Sequence, residues 1–258
     1  MTNIHPLPHA DFAPRAALVA PARGVNGSED APLRRQLPAD HEQVVSAEDR
    51  IAALFAEIGT QVVIPRNGEL YAEDQTVDTV FRVESGVVRT CKILNDGRRQ
   101  IDGFYVAGDI VGLEMRSRHA YYAEAISRTT LRAVRLRTLR SRLEMDGGMS
   151  SALWDMTALE LHRSQEHNLL LGRRSAQERV ACLLLSMAQR LACDGAAEKG
   201  ALTIELPMSR QDMADYLGLT IETVSRTFTQ LEATGVIALI SARKVRLCNR
   251  AALLDMHG

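Results

Sequence analysis

Residues 209–228 read SRQDMADYLGLTIETVSRTF, and this stretch decides the architecture of the C-terminal third of the chain. Ser209 is a polar helix start, and Met213, Ala214 and Leu217 give a short amphipathic helix its apolar stripe. Gly218 then breaks that helix at the point where a tight helix-turn-helix needs a residue free of Cβ strain. Thr220 is placed to cap a second helix, whose inner face is Val224, Phe228 and Leu231 at helical spacing. The other face presents Glu222, Ser225 and Arg226 at i, i+3 and i+4, so the three project together near the helix N-terminus.

In a DNA-binding helix-turn-helix, that end of the second helix meets the base edges. The planar donor fork of Arg226 matches guanine O6 and N7, and the Glu222 carboxylate can accept from a cytosine amino group. Ser225 and Thr220 are short hydroxyls suited to phosphate or base contacts. Thr223, Ser209 and Arg210 complete the candidate DNA-binding set. A plainer reading of Glu222 and Arg226 is an i,i+4 ion pair on a solvated helix. The Gly-containing turn, the caps and the inner apolar set nevertheless all fit one motif.

The segment LGLTIETVSRTFTQLEATGVI resembles the DNA-reading element of the CRP/FNR family of bacterial regulators, whose hallmark is a recognition helix of the form E-x-x-S-R. The similarity extends through NLLLGRRSAQERVACLLLSMAQRL and GFYVAGDIVGL, which resemble the FNR branch, and covers roughly residues 50 to 250. The resemblance implies recognition of a TTG-type half-site, with Glu222, Ser225 and Arg226 carrying that role.

Composition bounds the rest. At 258 residues and 46% hydrophobic content the chain suits one large or two modest domains with a substantial core. No apolar run approaches the roughly 18 residues of a membrane span. The Ala/Val-rich patch at 16–22 is interrupted by Pro14, Arg15 and Pro21 and makes a poor signal peptide, so a cytoplasmic protein with no membrane association is expected. The net charge of −1 names no partner by itself. A local basic surface is still open to Arg173, Arg174, Arg179, Arg210, Arg243, Lys244 and Arg246. Prolines concentrate before residue 39, and residues 1–46 read as a disordered arm whose His5, His9 and His41 match no metal site.

From about 60 to 136, runs such as TVFRVESGVVRTCKIL alternate apolar and polar positions, with turn signals at Ser85-Gly86, Asn95-Asp96-Gly97 and Ala107-Gly108-Asp109. The pattern predicts a β-roll. By resemblance this is a sensory domain related to cyclic-nucleotide-binding modules, in which a G-E-x pair and a later Arg followed by a small residue capture the phosphate. Here VGLEMRSRHAYYAEA places Leu113 where the Glu would be and His119-Ala120 at the Arg-Ser position. Without that Arg the phosphate lacks its bidentate partner, although Arg116 and Arg118 lie close in sequence. Iron–sulfur ligation is not expected either: the cysteines are at 91, 182, 193 and 248, with no cluster spacing and none near the N-terminus. In this the chain resembles FixK-type members, which often act downstream of another oxygen sensor. No cofactor and no metal are therefore expected.

A capping box, Ser175-Ala-Gln-Glu178, opens a helix whose stripe is Val180, Leu184, Met187, Ala188 and Leu191. That places Cys182 on the opposite face, as an exposed thiol and a possible redox site beside Arg179. Upstream, residues 149–172 carry two seams at coiled-coil spacing: Met149, Ala152, Met156, Leu159, Arg163, Glu166, Leu170, and Trp154, Thr157, Leu161, Ser164, Asn168, Leu171. Such a helix forms the dimer axis in the resembled family. Beyond Gly235, VIALISARKVRLC reads as a two-stranded wing turning at Ala242-Arg243.

The expected architecture is α+β, with an arm (1–46), a cyclic-nucleotide-binding-like β-roll (47–146), a long dimerisation helix (147–172) and a C-terminal winged helix-turn-helix (173–258). The expected function is transcription regulation by a homodimer, with double-stranded DNA and RNA polymerase as partners and activation in a low-oxygen circuit. The competing expectation is a receptor whose β-roll binds a nucleotide or other small effector. No nucleophile–base pair or phosphate-cradling Gly loop supports an enzyme.

Overall fold

The computed structural model describes residues 46–114, 116–191 and 202–257; the N-terminal arm with its three histidines, Cys193 and the side chain of Arg173 lie outside the described residues. A helix absent from the sequence reading, α1 (Ala47–Ile58), comes first, N-capped by Ser46, which accepts from the Asp49 amide. Eight strands follow: β1 (Thr60–Ile64), β2 (Glu69–Tyr71), β3 (Thr79–Ser85), β4 (Val88–Ile93), β5 (Arg99–Tyr105), β6 (Ile110–Val111), β7 (Tyr122–Ala125) and β8 (Thr129–Arg135). They form two antiparallel sheets of order β1-β8-β3-β6 and β2-β7-β4-β5.

The alternation in TVFRVES explains how β3 serves two layers. Val83 joins Leu131 and Val111 against Tyr71, Val88 and Ala123 of the other sheet. Val80, on the opposite face, joins Val134, Ile51, Leu54, Phe55 and Leu139 in a cluster that extends to Ala152. The turn at Ser85-Gly86, where the chain passes from one sheet to the other, requires glycine, since Gly86 has φ 83° and a Cβ would lie 2.6 Å from the Arg128 carbonyl oxygen.

A short α2 (Leu136–Met145) leads into α3 (Gly147–Arg173), the long helix, capped by Asp146. Its two seams separate. Ala152 is buried, and Met149, Leu153 and Met156 pack on the α1 cluster, while Leu170 is buried further along. Leu159 of the same seam is exposed, because the face turned inward runs through Glu160, Arg163 and His167 instead. In the second seam Trp154 (73% exposed) and Leu161 (60%) face solvent, while Leu171 turns in.

The C-terminal region is α4 (Ala176–Leu191), β9 (Leu202–Glu205), α5 (Arg210–Leu217), α6 (Ile221–Ala233), β10 (Ile237–Leu239), β11 (Lys244–Leu247) and α7 (Arg250–His257). The expected wing is three-stranded, because β9 pairs with β11. Phe228, Leu231, Val224, Met213 and Leu217 meet Leu184 and Met187 of α4 in one core, each contributing about 1.5–3 kcal/mol by burial.

Gly218 closes α5 in the left-handed conformation at φ 61°, ψ 38°. A Cβ there would meet only ordinary contacts, with Leu171 Cδ2 at 3.4 Å and Arg179 Nη1 at 3.5 Å. The penalty for a side chain is therefore torsional. Gly218→Ala is expected to lower unfolding free energy by about 1–2 kcal/mol, read as a shifted guanidinium midpoint at constant slope, with Gly218→Asn costing less.

Candidate nucleic-acid interface

Local rules build the reading helix. Ser209 caps α5 in a complete capping box with Asp212, and Thr220 caps α6 by accepting from the Thr223 amide at 3.2 Å. With Val224, Thr227, Phe228 and Leu231 buried, the remaining face of α6 is solvent-exposed and carries Glu222, Ser225 and Arg226 together. No ion pair joins Glu222 to Arg226 among the described residues, so the Arg226 fork is free to meet an acceptor. Hydrogen bonds from the first-turn backbone and Thr220, with a smaller contribution from Arg226, hold the Glu222 carboxyl below its ordinary range; it is an acceptor at neutral pH.

The other candidates divide. Thr223 is half-buried, its hydroxyl 3.1 Å from that of Thr220, and supports the cap. The Ser209 hydroxyl donates to Asp212 at 2.8 Å. Arg210 lies over the Phe228 ring, 3.3 Å from its centroid, where burial pulls its pKa down to about 10. Of the basic residues, Lys244 and Arg246 alternate outward along β11, while Arg243 is half-buried at the turn. Arg179 does not join a basic surface: it donates to the carbonyls of Arg174, Leu217 and Leu171 at 2.8–2.9 Å, tying the ends of α3 and α5 to the start of α4. Helix C-terminal carbonyls carry partial negative charge, which is why a guanidinium gathers them.

Cys182 is buried, not exposed as the stripe suggested. Helix α4 is wrapped by α6, β9 and α7, so a one-stripe reading of its pattern fails; α7 gave no clear sequence signal. Burial pushes the thiol pKa up, opposed by the Arg174 guanidinium, whose Nη1 lies 3.1 Å from Sγ. Any oxidation at Cys182 therefore starts from a neutral, covered thiol.

Sequence reasoning missed how the reading head is seated. Two carboxylates on α5 meet two arginines on the β2-β7-β4-β5 sheet: Arg89 binds Asp212, and Arg99 binds Asp212 and Asp215, both at 2.7 Å. Glu124 on β7 completes the group, 2.6 Å from Arg89. Burial alone would raise the Asp212 carboxyl, but Ser209 and the two arginines hold it below the usual range. Beside this group Tyr216 lies between Phe104 (5.1 Å) and His167 (4.0 Å, stacked). Arg190 reaches back to Asp109 at 2.5 Å and to the Phe104 carbonyl at 2.6 Å.

At the place where the resemblance puts phosphate capture, His119 is buried, stacked 3.7 Å from the Tyr71 ring, with Nδ1 2.8 Å from Glu114. The other Glu114 oxygen accepts from the Ala120 amide at 3.0 Å. Arg118 is turned to the Asp74 carbonyl. An internal carboxylate thus holds the backbone donor and the imidazole. No helix is long and apolar enough to cross a membrane, and no metal-ligating cluster occurs among the described residues.

A β-roll joined through a long helix to a winged helix-turn-helix with a free recognition face defines a DNA-binding transcription regulator. Residues 61–146 match the cyclic nucleotide-binding domain family, and residues 178–256 match the Crp-like helix-turn-helix domain family. The chain is 48% identical over 204 residues to the nitrogen fixation regulation protein FixK of Azorhizobium caulinodans, a match covering 79% of this chain and 82% of that one. It is 40% identical to the transcriptional activatory protein AadR of Rhodopseudomonas palustris, covering 79% of each. Among solved structures, FixK2 from Bradyrhizobium japonicum superposes with a TM-score of 0.72 at 42% identity, covering 78% of this chain and 98% of that one. The chain belongs to the CRP/FNR family of transcription regulators, with FixK proteins among its relatives. These relatives are regulators and not enzymes.

Arg226→Ala is expected to cost about 1–3 kcal/mol on a cognate duplex and to relax preference at one base position, measured by anisotropy titration against single-base variants. A uniform loss on all duplexes would make Arg226 a phosphate contact. For His167, burial and then the Arg179 charge pull the pKa down to about 4, so the unfolded chain binds a proton that the fold refuses. The stability it supports is present in full above pH about 6.5 and is lost as pH falls toward 4. His167→Phe, which keeps the stack on Tyr216, should flatten the melting temperature across that window.

Proposed function

We propose that this protein binds a TTG-type palindrome as a homodimer, with Glu222, Ser225 and Arg226 on each α6 reading base edges and Thr220 holding the helix N-terminus. The observation that carries this reading is the exposed, mutually unpaired Glu222–Ser225–Arg226 face of α6. Members of the family act as dimers. The outward row Trp154, Leu161 and Leu169 supports α3 as the joining surface here, because exposed apolar residues in register on a long helix favour a second helix over water. Two symmetry-related reading helices then meet major grooves about 34 Å apart. Lys244 and Arg246 flank as backbone contacts.

We further infer transcription activation through RNA polymerase in the cytoplasm, in a low-oxygen or nitrogen-fixation circuit. The supporting observations are the activator and nitrogen-fixation names of the relatives. The Glu114 contacts with His119 and Ala120 support DNA binding without cyclic nucleotide, and the cysteine spacing supports binding without iron.

Purified protein, treated with chelator and free of nucleotide, should bind a palindromic duplex far more tightly than a scrambled one. Leu161→Glu should shift it to monomer in sedimentation and cost at least tenfold in palindrome affinity. Strict dependence on cyclic AMP, or equal affinity for both duplexes, would refute this reading.

A further inference from the structure

We propose that Arg89 and Arg99, which lie on the β-roll and not on the face of α6 that meets DNA, are positioning residues for DNA reading: they fix the orientation of the helix-turn-helix by clamping α5. The proposal rests on the dimeric reading above. Three independent contacts place the clamp. Arg99 bridges Asp212 and Asp215, three residues apart on α5, and Arg89 engages Asp212 while anchored to Glu124 through Nε at 2.9 Å and Nη2 at 2.6 Å. The charges are largely withdrawn from water, with side-chain exposures of 10% for Arg89 and 7% for Asp212. Tyr216, on the same helix, is held between Phe104 of β5 and His167 of α3.

The site is built for direction more than for adhesion. An apolar contact tolerates sliding, whereas a planar guanidinium divided between two carboxylates fixes both distance and angle. Asp212 also closes the capping box with Ser209, so a residue that stabilises the start of α5 is the residue gripped from the β-roll. Helix α5 packs beside β5 on the sheet face that carries the cross-strand neighbours Arg89, Phe104 and Glu124. The docked position leaves Glu222, Ser225 and Arg226 exposed, so the clamp presents the reading face and does not occlude it.

The consequence is specific to two-headed binding. One recognition helix finds one half-site whether or not its mounting is rigid. Engaging both half-sites at once depends on the effective concentration of the second head, which falls when its orientation is released.

The test compares the full-length protein with Arg99→Gln and Arg99→Lys. Fluorescent duplexes carry either the full palindrome or one intact and one scrambled half-site. Amide exchange of the free protein is followed in residues 99–105 and 210–217, with residues 129–135 of β8 as an internal control. Expected for Arg99→Gln are at least tenfold weaker palindrome binding, less than threefold change on the single half-site, faster exchange in β5 and α5 with β8 unchanged, and partial recovery in Arg99→Lys. Unchanged palindrome affinity and unchanged exchange would overturn the proposal. Parallel losses on both duplexes with faster exchange in β8 would overturn it too, by reducing Arg99 to a stability role. If the unmutated protein shows no preference for the palindrome, the dimeric reading fails instead, and the exchange comparison still decides whether Arg99 clamps α5.

Discussion

A buried group of charges joins the two functional parts of this molecule. Arg89 and Arg99 are drawn from strands whose other residues, such as Val88, Cys91 and Ile101, are core, and Asp212 and Asp215 come from a helix whose other face is the centre of the helix-turn-helix. Taking such charges out of water costs several kcal/mol per ion, and their mutual attraction roughly offsets it only when geometry is good and spare lone pairs are filled. Here they are filled: Glu124 accepts from Arg89, Gln211 donates to Asp215 at 2.7 Å, and Ser209 donates to Asp212. A hydrophobic substitute would hold α5 as firmly. On the proposal above, what the ion pairs add is a single preferred register for the reading head.

The same economy governs the ends of helices around the reading head. Arg179, near the start of α4, gathers three carbonyls from the ends of α3 and α5, so one side chain satisfies groups that would otherwise need water at a crowded junction. Gly218 supplies the left-handed turn beside it, and Thr220 starts α6 two residues later. Together they set the angle between α5 and α6. Arg210, desolvated over Phe228, extends the apolar core outward with its aliphatic stem and ring contact.

The β-roll keeps the shape of a ligand-binding module with altered chemistry. Glu114 takes the donors of His119 and Ala120, Arg118 turns to a backbone carbonyl, and Lys92 pairs with Glu73 at 2.6 Å. An incoming anion would have to displace these internal partners, and two of them, Glu114 and Glu73, are themselves carboxylates. On the proposal above, the module also serves as a mount, with β4, β5 and β7 supplying the clamp.

The sequence by itself determined the helix-turn-helix, the caps at Ser209, Ser175 and Thr220, the turns at Gly86, Gly97 and Gly108, and the outward set Glu222, Ser225 and Arg226. Each follows from spacing within a few residues, where backbone geometry and hydrogen-bond needs act alone. It also held the E-x-x-S-R pattern that marks the family. Only the tertiary structure decided the rest. Cys182 lies on the polar side of its helix in sequence yet is buried, because α4 is enclosed on more than one face. Arg179 and Arg210 read as surface cations and are instead a carbonyl staple and a ring cover. The seams of α3 were equivalent in period, and packing on the α1 cluster turned inward only the Met149, Ala152 and Met156 part of the first, while Leu159 stays exposed and Leu171 of the second turns in. Arg89 and Asp212 are 123 residues apart, and no local rule links them. The fold brings them together, and once they are withdrawn from water, leaving either charge without its partner would be costly.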